Sequence, residues 1–118
     1  MAKFLSDDQI AAFERTGYVL LPALLSEADV HAMRAEAQAR WTSLKPDAEA
    51  DPAMQTWLQA SLLPDIHHHS ELIRHYYFRG PLVDVATQLI GADVKAATSQ
   101  LTFKLRGNQK EFGWHQVI

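Results

Sequence analysis

The sequence predicts an α+β fold in which several helices precede the beginning of a β-sheet. From about residue 6 to residue 91, apolar residues recur at helical spacing between capping and stop signals. From about residue 93 to residue 118, the pattern changes to the alternation that is typical of strands. With 118 residues and neither an internal repeat nor a linker, we expect a single domain over residues 1–118.

The first predicted helix has both a start signal and a stop signal. Ser6 with Gln9 three positions later matches a capping box, in which two side chains satisfy free backbone N–H groups. Ile10 and Phe13 then form a short apolar face, and Gly17 suits the end of a helix.

A predicted strand and a long predicted helix follow. The run over residues 18–22 is apolar and closes with a proline, which predicts a short buried strand. Ser26 with Asp29 repeats the capping signal, and we expect this helix to end near Lys45–Pro46. Its apolar face steps by three and four residues through Val30, Met33, Ala37, Trp41 and Leu44. Residues 45–53 are polar and acidic and are expected to form a loop.

Three shorter helical segments complete the helical region. We place them at residues 54–62, where the spacing allows one or two turns, at residues 70–78, and at residues 81–90, which a proline and a glycine bracket. Trp41 and Trp57 lie on apolar faces, and we expect both in the core.

The first predicted strand of the sheet divides its side chains into two sets, because successive side chains of a strand point to opposite faces. The apolar set, expected on a core layer, is Leu101, Phe103 and Leu105. The set that points toward a different space is Gln100, Thr102 and Lys104. We expect a turn at residues 106–109 and a second strand that starts near Glu111 or Phe112.

Composition excludes several classes of protein. The net charge of −3 and the pI near 6.0 argue against a nucleic-acid-binding protein, which normally has a basic face. The absence of cysteine removes disulfides and thiolate metal sites and fits a reducing compartment. No apolar run approaches the length of a bilayer span, and the N-terminus turns acidic before a leader core could form. We therefore expect a cytoplasmic protein without nucleic-acid or membrane partners.

A run of three histidines, His67, His68 and His69, raises the question of a metal site. Neighbouring side chains in regular structure cannot all point at one ion, and no Cys or Asp stands at zinc-finger spacing. We interpret the run as a solvated or substrate-facing loop.

The last residues of the chain carry its most specific chemical pattern. Residues i and i+2 of a strand lie on one side, about 6.5 Å apart, so a His-x-Asp pair can offer an imidazole and a carboxylate to one metal ion. His115 and position 117 have this spacing, but Val117 has no donor atom. Glu111 shares the parity of His115 but lies about 13 Å away along an extended strand. Taken alone, His115 is interpreted as a partly buried histidine and Trp114 as a core residue.

Several segments, in their order and spacing, resemble the phytanoyl-CoA dioxygenase family, in which the last of them reads Trp-His-Gln-Asp. The resemblance extends along the whole chain. It is carried by Leu5–Ile10, Phe13, Gly17–Tyr18, the run to Pro22, Leu24–Ser26, Leu89–Gly91, Ser99–Lys104 and Trp114–Gln116.

The resemblance implies a double-stranded β-helix, the jelly roll related to cupins, with helices packed outside it and only its beginning present here. It implies Fe(II) and 2-oxoglutarate, and hydroxylation of a small-molecule or acyl substrate. By position, His115 would be the first iron ligand. Lys104 would contact the 2-oxoglutarate carboxylate, and Gln100 would line the cavity. Trp114 and Gln116 would lie toward the substrate.

The chain departs from the family in its metal ligands. Val117 replaces the carboxylate, no second histidine follows in a later strand, and no downstream arginine can bind 2-oxoglutarate. A single histidine is a poor Fe(II) site, because several convergent ligands are needed to compete with water. We therefore expect a truncated family member whose isolated chain has no dioxygenase turnover and does not retain Fe(II) or 2-oxoglutarate.

Two alternatives stay open. One is a non-catalytic helical binding module that pairs its open sheet edge with a second copy or with a separately encoded C-terminal half. The other is a poorly folded product of a degraded gene.

Overall fold

The computed structural model describes residues 4–104, 106–107, 111 and 113–116, and most of the ordered elements in them are helices. The helices are α1 (Asp7–Thr16), α2 (Glu27–Ala50), α3 (Gln55–Gln59), α4 (Glu71–Phe78) and α5 (Pro81–Ile90). Short 3₁₀ turns cover Pro52–Met54 and Ile66–His68, and the strands are β1 (Leu62–Pro64) and β2 (Gln100–Thr102). The structure therefore combines helices with a small antiparallel sheet, as the α+β prediction requires.

Helix α1 begins and ends where the sequence predicts. The Ser6 hydroxyl accepts a hydrogen bond from the Gln9 backbone N–H (3.2 Å), and the Gln9 side chain accepts one from the Ser6 N–H (2.9 Å). Gly17 adopts φ 83° and donates its N–H to the Phe13 carbonyl at 2.7 Å. A left-handed residue is needed there, which explains the glycine.

The run over residues 18–22 is not a strand, so this prediction is wrong. Tyr18 and Leu20 are 65% and 75% exposed. A strand requires a hydrogen-bonded neighbour, and within the described part of the chain β1 and β2 pair only with each other. An apolar pattern therefore exists here without the partner that would bury it.

Helix α2 continues past its expected end and includes Pro46, so the loop predicted from residue 45 begins only after Ala50. Its start is as predicted, since the Ser26 hydroxyl accepts the Asp29 N–H at 3.1 Å. Ala48 in the last turn is buried, and Lys45 pairs with Glu49 at 3.6 Å. These contacts favour the helical turn that proline disfavours.

The two tryptophans expected in the core differ. The Trp41 ring lies 4.4 Å from the Phe103 ring, centroid to centroid, and packs α2 against the residue after β2. Trp57 is 43% exposed, so its assignment to the core is wrong. The next residue of α3, Leu58, is half-buried instead.

Strand β2 pairs antiparallel with β1, with Leu63 opposite Leu101. The pairing extends beyond the strands through the Phe103 N–H to the Ser61 carbonyl (3.0 Å) and the Asp65 N–H to the Ser99 carbonyl (2.7 Å). The sequence did not predict β1, which lies at the end of a segment interpreted as helical turns.

The predicted division of side chains in β2 is confirmed where it is described. Leu101 and Phe103 are half-buried, whereas Gln100, Thr102 and Lys104 are exposed. The strand itself is shorter than the run predicted from residue 93. Residues 106–107 form the expected turn, and residues 111 and 113–116 lie outside any strand, while Leu105, Asn108, Gln109 and Phe112 fall outside the described residues.

The core is small and lies where β1, the 3₁₀ turn Ile66–His68 and α4 meet. Its buried apolar residues are Leu5, Ala48, Leu63, Ile66, Ile73 and Val85. Helix α5 contributes the Gln88 side chain, which hydrogen-bonds the backbone of Phe4 and Leu5. Among the described residues, no helix is both long and apolar enough to cross a membrane.

Candidate functional site

Strand β2 presents one polar face, which carries two of the predicted site residues. Gln100 and Lys104 are exposed, on the face opposite to Leu101 and Phe103. Because the Phe103 ring packs on Trp41 of α2 at a tilt of 32°, the apolar side of the strand is fixed against the helices. The polar side is left to face another space, as a cavity wall would.

Gln100 also borders an open cavity of about 370 Å³ between α2, α4 and the start of β2; Leu101 lines it too, so this cavity lies on the helix side of the strand and is not the space that the polar face meets. Most of its other lining residues are apolar: Met33, Ala37, Ile66, Ile73, Tyr76 and Leu101. The assignment of Gln100 and Lys104 to a 2-oxoglutarate site stays a prediction.

The segment of residues 113–116 is exposed, which corrects the interpretation of Trp114 as core and of His115 as partly buried. The Nδ1 atom of His115 lies 2.8 Å from the Gly113 carbonyl oxygen. When Nδ1–H donates to that carbonyl, Nε2 is the atom with a free lone pair for a ligand. Gln116 is exposed beside it.

The described residues do not fit a complete Fe(II) site. Within the described ranges, no three His, Cys, Asp or Glu side chains come close enough to hold one metal ion. His115 is a single candidate donor, and Val117, which lies outside the described residues, has a side chain without donor atoms. The two-histidine, one-carboxylate arrangement is therefore not assembled by this part of the chain.

The three consecutive histidines do not share one environment. His68 and His69 are exposed, as expected for a solvated segment, but His67 is only 9% exposed, and that part of the prediction is wrong. The His67 ring stacks on Tyr77 of α4 at 4.2 Å, and its Nδ1 lies 2.5 Å from the Ser99 hydroxyl oxygen. Ser99 was not among the predicted site residues, and only its place directly before β2 could have indicated it.

Three groups with shifted pKa values, His67, Asp29 and Tyr76, lie where elements of the fold are joined. Burial, reinforced by His68, lowers the pKa of His67 below its usual value. Hydrogen bonds from the Ser26 hydroxyl and the Tyr76 phenol lower the pKa of Asp29, and the same contact raises the pKa of Tyr76. The contact between Asp29 and Tyr76 links the start of α2 to α4.

The chain is similar in sequence to one protein family and to curated proteins. The family profile described as "Phytanoyl-CoA dioxygenase (PhyH)" matches residues 13–117. Two similar curated proteins are both named ectoine dioxygenase: one from Bordetella parapertussis (31% identical) and one from Bordetella bronchiseptica (30% identical), each over 123 aligned positions. Each alignment covers 97% of this chain and 37% of the relative, so the chain spans just over a third of their length. No solved structure matches.

Proposed function

Because the chain belongs to the phytanoyl-CoA dioxygenase family, we propose that it supplies the first part of the active-site cavity of an Fe(II)- and 2-oxoglutarate-dependent dioxygenase. The observation that carries the proposal is the two-faced strand β2 within the matched region. Its apolar side packs on α2 through Phe103, and its polar side presents Gln100 and Lys104. A strand in the wall of an active-site cavity needs one apolar face, which packs on the rest of the protein, and one polar face, which meets the cavity.

In this proposal, β1, β2 and the segment that leads to His115 belong to a double-stranded β-helix with the helices outside. Among the described residues β2 pairs only with β1, and this supports the proposal because a jelly roll adds further strands beside those already paired.

The proposed roles follow the chemistry of each side chain. His115 would offer Nε2 as the first iron ligand, and the Lys104 ammonium would pair with a carboxylate of 2-oxoglutarate. Gln100 would form part of the wall, and Trp114 and Gln116 would lie toward the substrate. In a complete site, Fe(II) and 2-oxoglutarate supply the activation of O₂, and the protein supplies position and exclusion of water.

The substrate proposal rests on the relatives' name. Both are called ectoine dioxygenase, which favours ectoine, or a molecule of similar chemistry, over an acyl chain.

The test joins residues 1–116 of this chain to the part of the Bordetella parapertussis relative that follows the residue aligned with Gln116, so that the relative supplies position 117 and everything after it. We expect the chimera to form succinate from 2-oxoglutarate with Fe(II), ascorbate and ectoine. We expect the 118-residue chain alone to form none, because one histidine cannot hold Fe(II) against water. His115→Ala should abolish turnover by the chimera. Lys104→Ala should raise its KM for 2-oxoglutarate about tenfold to a hundredfold, through the loss of a charged hydrogen bond.

The matched control is Lys95→Ala, which removes an exposed lysine before β2 and should leave KM unchanged. A chimera that folds by circular dichroism but gives no succinate would contradict the proposal, as would turnover that survives His115→Ala. Succinate formed by the chain alone above its His115→Ala variant would contradict the expected inactivity.

A second candidate function is a non-catalytic module that pairs with another chain. It is favoured by the sheet, which has only two strands in the described residues, and by the exposed apolar side chains on α4 and α5, Phe78 and Leu82. These two residues border an open cavity of about 290 Å³ beside the extended segment that leads to β2. The partner would be a second copy of this chain. Alternatively, it would be a polypeptide similar to the part of the ectoine dioxygenases that lies outside their alignment with this chain.

A further inference from the structure

Ser99, the residue directly before β2, is held by hydrogen bonds from one short segment, residues 65–67. The Asp65 N–H donates to the Ser99 carbonyl at 2.7 Å. The His67 N–H donates to the Ser99 hydroxyl oxygen at 3.1 Å, and His67 Nδ1 lies 2.5 Å from the same oxygen. These three contacts attach the start of β2 to the 3₁₀ turn Ile66–His68, and two of the three are made between His67 and Ser99.

The His67 ring has little freedom to move. It stacks on Tyr77 at 4.2 Å with an interplanar angle of 21°, and it meets the edge of Phe78 at 6.2 Å. The His68 ring lies 4.1 Å away on the same segment. A rotation of the imidazole would disturb the packing of the 3₁₀ turn on α4, so the ring is fixed with Nδ1 toward Ser99.

The hydrogen-bond pattern suits a neutral imidazole. The Ser99 oxygen already accepts the His67 N–H, and its one hydrogen is available to donate to Nδ1. This arrangement requires the imidazole proton to be on Nε2. If Nδ1 were also protonated, it would become a donor, and the hydroxyl hydrogen would have to turn away.

The charged and titratable groups around His67 mostly disfavour its protonation. Burial is the main effect that lowers its pKa, and His68 on its own segment and Arg74 on α4 act in the same direction. Asp65 acts in the opposite direction. Tyr77, on α4, is the titratable residue whose ring stacks on the imidazole.

We propose that His67 is a positioning residue for strand β2: its neutral imidazole, bonded to Ser99, fixes the strand that presents Gln100 and Lys104, and its protonation weakens that attachment. The importance of Gln100 and Lys104 rests on the proposed function. The attachment itself is a property of the described residues and can be tested without iron, 2-oxoglutarate or turnover.

The direction of the pH dependence follows from linkage. A histidine whose pKa is lower in the folded chain than in the unfolded chain contributes its full stabilisation above the unfolded pKa of about 6.5. That contribution is lost as the pH falls through the lower, folded pKa. The attachment of β2 should therefore be complete near neutral pH and weaken below about pH 6.5.

The test is amide hydrogen exchange of the ¹⁵N-labelled 118-residue chain between about pH 7.5 and about pH 5.5, on both sides of the usual histidine pKa. Protection factors of the Asp65 and Phe103 amides report the pairing of β2, since both donate across it. We expect them to fall about tenfold at the lower pH, the factor that the loss of one net hydrogen bond gives. The Gly17 amide, which caps α1, should keep its protection.

Variants separate the His67–Ser99 pair from a general effect of acid. His67→Asn places a non-titrating acceptor near the position of Nδ1 and should keep protection at both pH values. Ser99→Ala should give low protection at both. His68→Asn, a change at the neighbouring exposed histidine, should keep the pH-dependent loss.

The ring itself gives an independent readout in the unsubstituted chain. Imidazole ¹⁵N shifts of His67 at about pH 7.5 should show the proton on Nε2. A proton on Nδ1, protection that does not change with pH, or an equal acid loss in His67→Asn would overturn the proposal. None of these outcomes depends on the chimera's turnover, so the two proposals can fail separately.

Discussion

The side chain of Gln88 acts like a backbone peptide group for the start of the chain. Its amide nitrogen donates to the Leu5 carbonyl at 2.8 Å, and its oxygen accepts the N–H groups of Leu5 and Phe4 at 3.0 and 3.1 Å. Leu5 is one of the two most completely buried large side chains described. One side chain on α5 therefore fixes a residue at the opposite end of the sequence.

We expect Gln88→Ala to lower the free energy of unfolding by about 2 kcal/mol, because the change leaves part-buried backbone groups of Leu5 without partners. Chemical denaturation monitored by circular dichroism measures the loss. Gln38→Ala, at an exposed position of α2, is the control and should change stability by less than about 0.5 kcal/mol. Equal effects of the two changes would argue against the role of Gln88.

At the scale of single residues, the sequence predicted the side of β2 on which each residue lies but not the partners of His67. Alternation alone places Gln100, Thr102 and Lys104 on one face, and the structure agrees. The burial of His67 depends on Ser99, which is 32 positions away, and on Tyr77 of α4. No local pattern distinguishes His67 from His68, because the difference arises from tertiary contacts.

At the scale of elements, α2 shows how packing can override a helix-breaking residue. Pro46 lies inside the helix and has no N–H to donate to the Thr42 carbonyl four residues earlier. The helix nevertheless continues for another turn, in which Ala48 is buried.

We expect Pro46→Ala to stabilise the chain, by up to about 3 kcal/mol, because it restores this hydrogen bond and removes a steric clash. The matched control is Pro81→Ala, at the first position of α5, where proline is favoured and its replacement should be neutral or slightly destabilising. Thermal unfolding of the two variants gives the comparison. A lower melting temperature for Pro46→Ala would show that the proline has a structural role in α2.

Helices with clear caps were predictable, and strands without a predicted partner were not. The signals at Ser6 and Gly17 are local, and α1 has the expected bounds. Strand β1 has three residues and ends in Pro64, so its sequence carries no alternation to recognise. Conversely, residues 18–22 have an apolar pattern but no strand beside them in the described residues.

At the scale of the whole molecule, the chain is more open than a closed domain of its length. Its radius of gyration is 16.6 Å, against about 13.5 Å expected for a compact domain of this size. Its accessible surface is 9253 Å², against roughly 6,500 Å² expected. The large apolar side chains that contribute to this surface include Tyr18, Leu20, Phe78, Leu82, Ile90 and Trp114. Such a surface favours association.

The second candidate function predicts that the chain forms dimers through the open edge of β2. The bonds of Ser99 and Phe103 to the β1 side imply that the backbone of Thr102 points toward the opposite edge. Thr102→Pro removes a donor from that edge, so sedimentation velocity should show monomers. Thr102→Val keeps the N–H and the β-branched shape and should stay dimeric. A monomeric unsubstituted chain at micromolar concentration would argue against pairing with a second copy.

The full exposure of Trp114 gives the chain an optical probe at the point where chemistry is proposed. An indole in water emits at longer wavelength than one shielded by protein, and Trp114 is the immediate neighbour of His115. Trp41, packed on Phe103, and Trp57, which is 43% exposed, also emit, so replacing both with Phe leaves Trp114 as the reporter. Anything that covers the segment around His115, whether an added strand, a metal with its ligands or a substrate, would therefore shift the fluorescence of the unlabelled chain toward the blue.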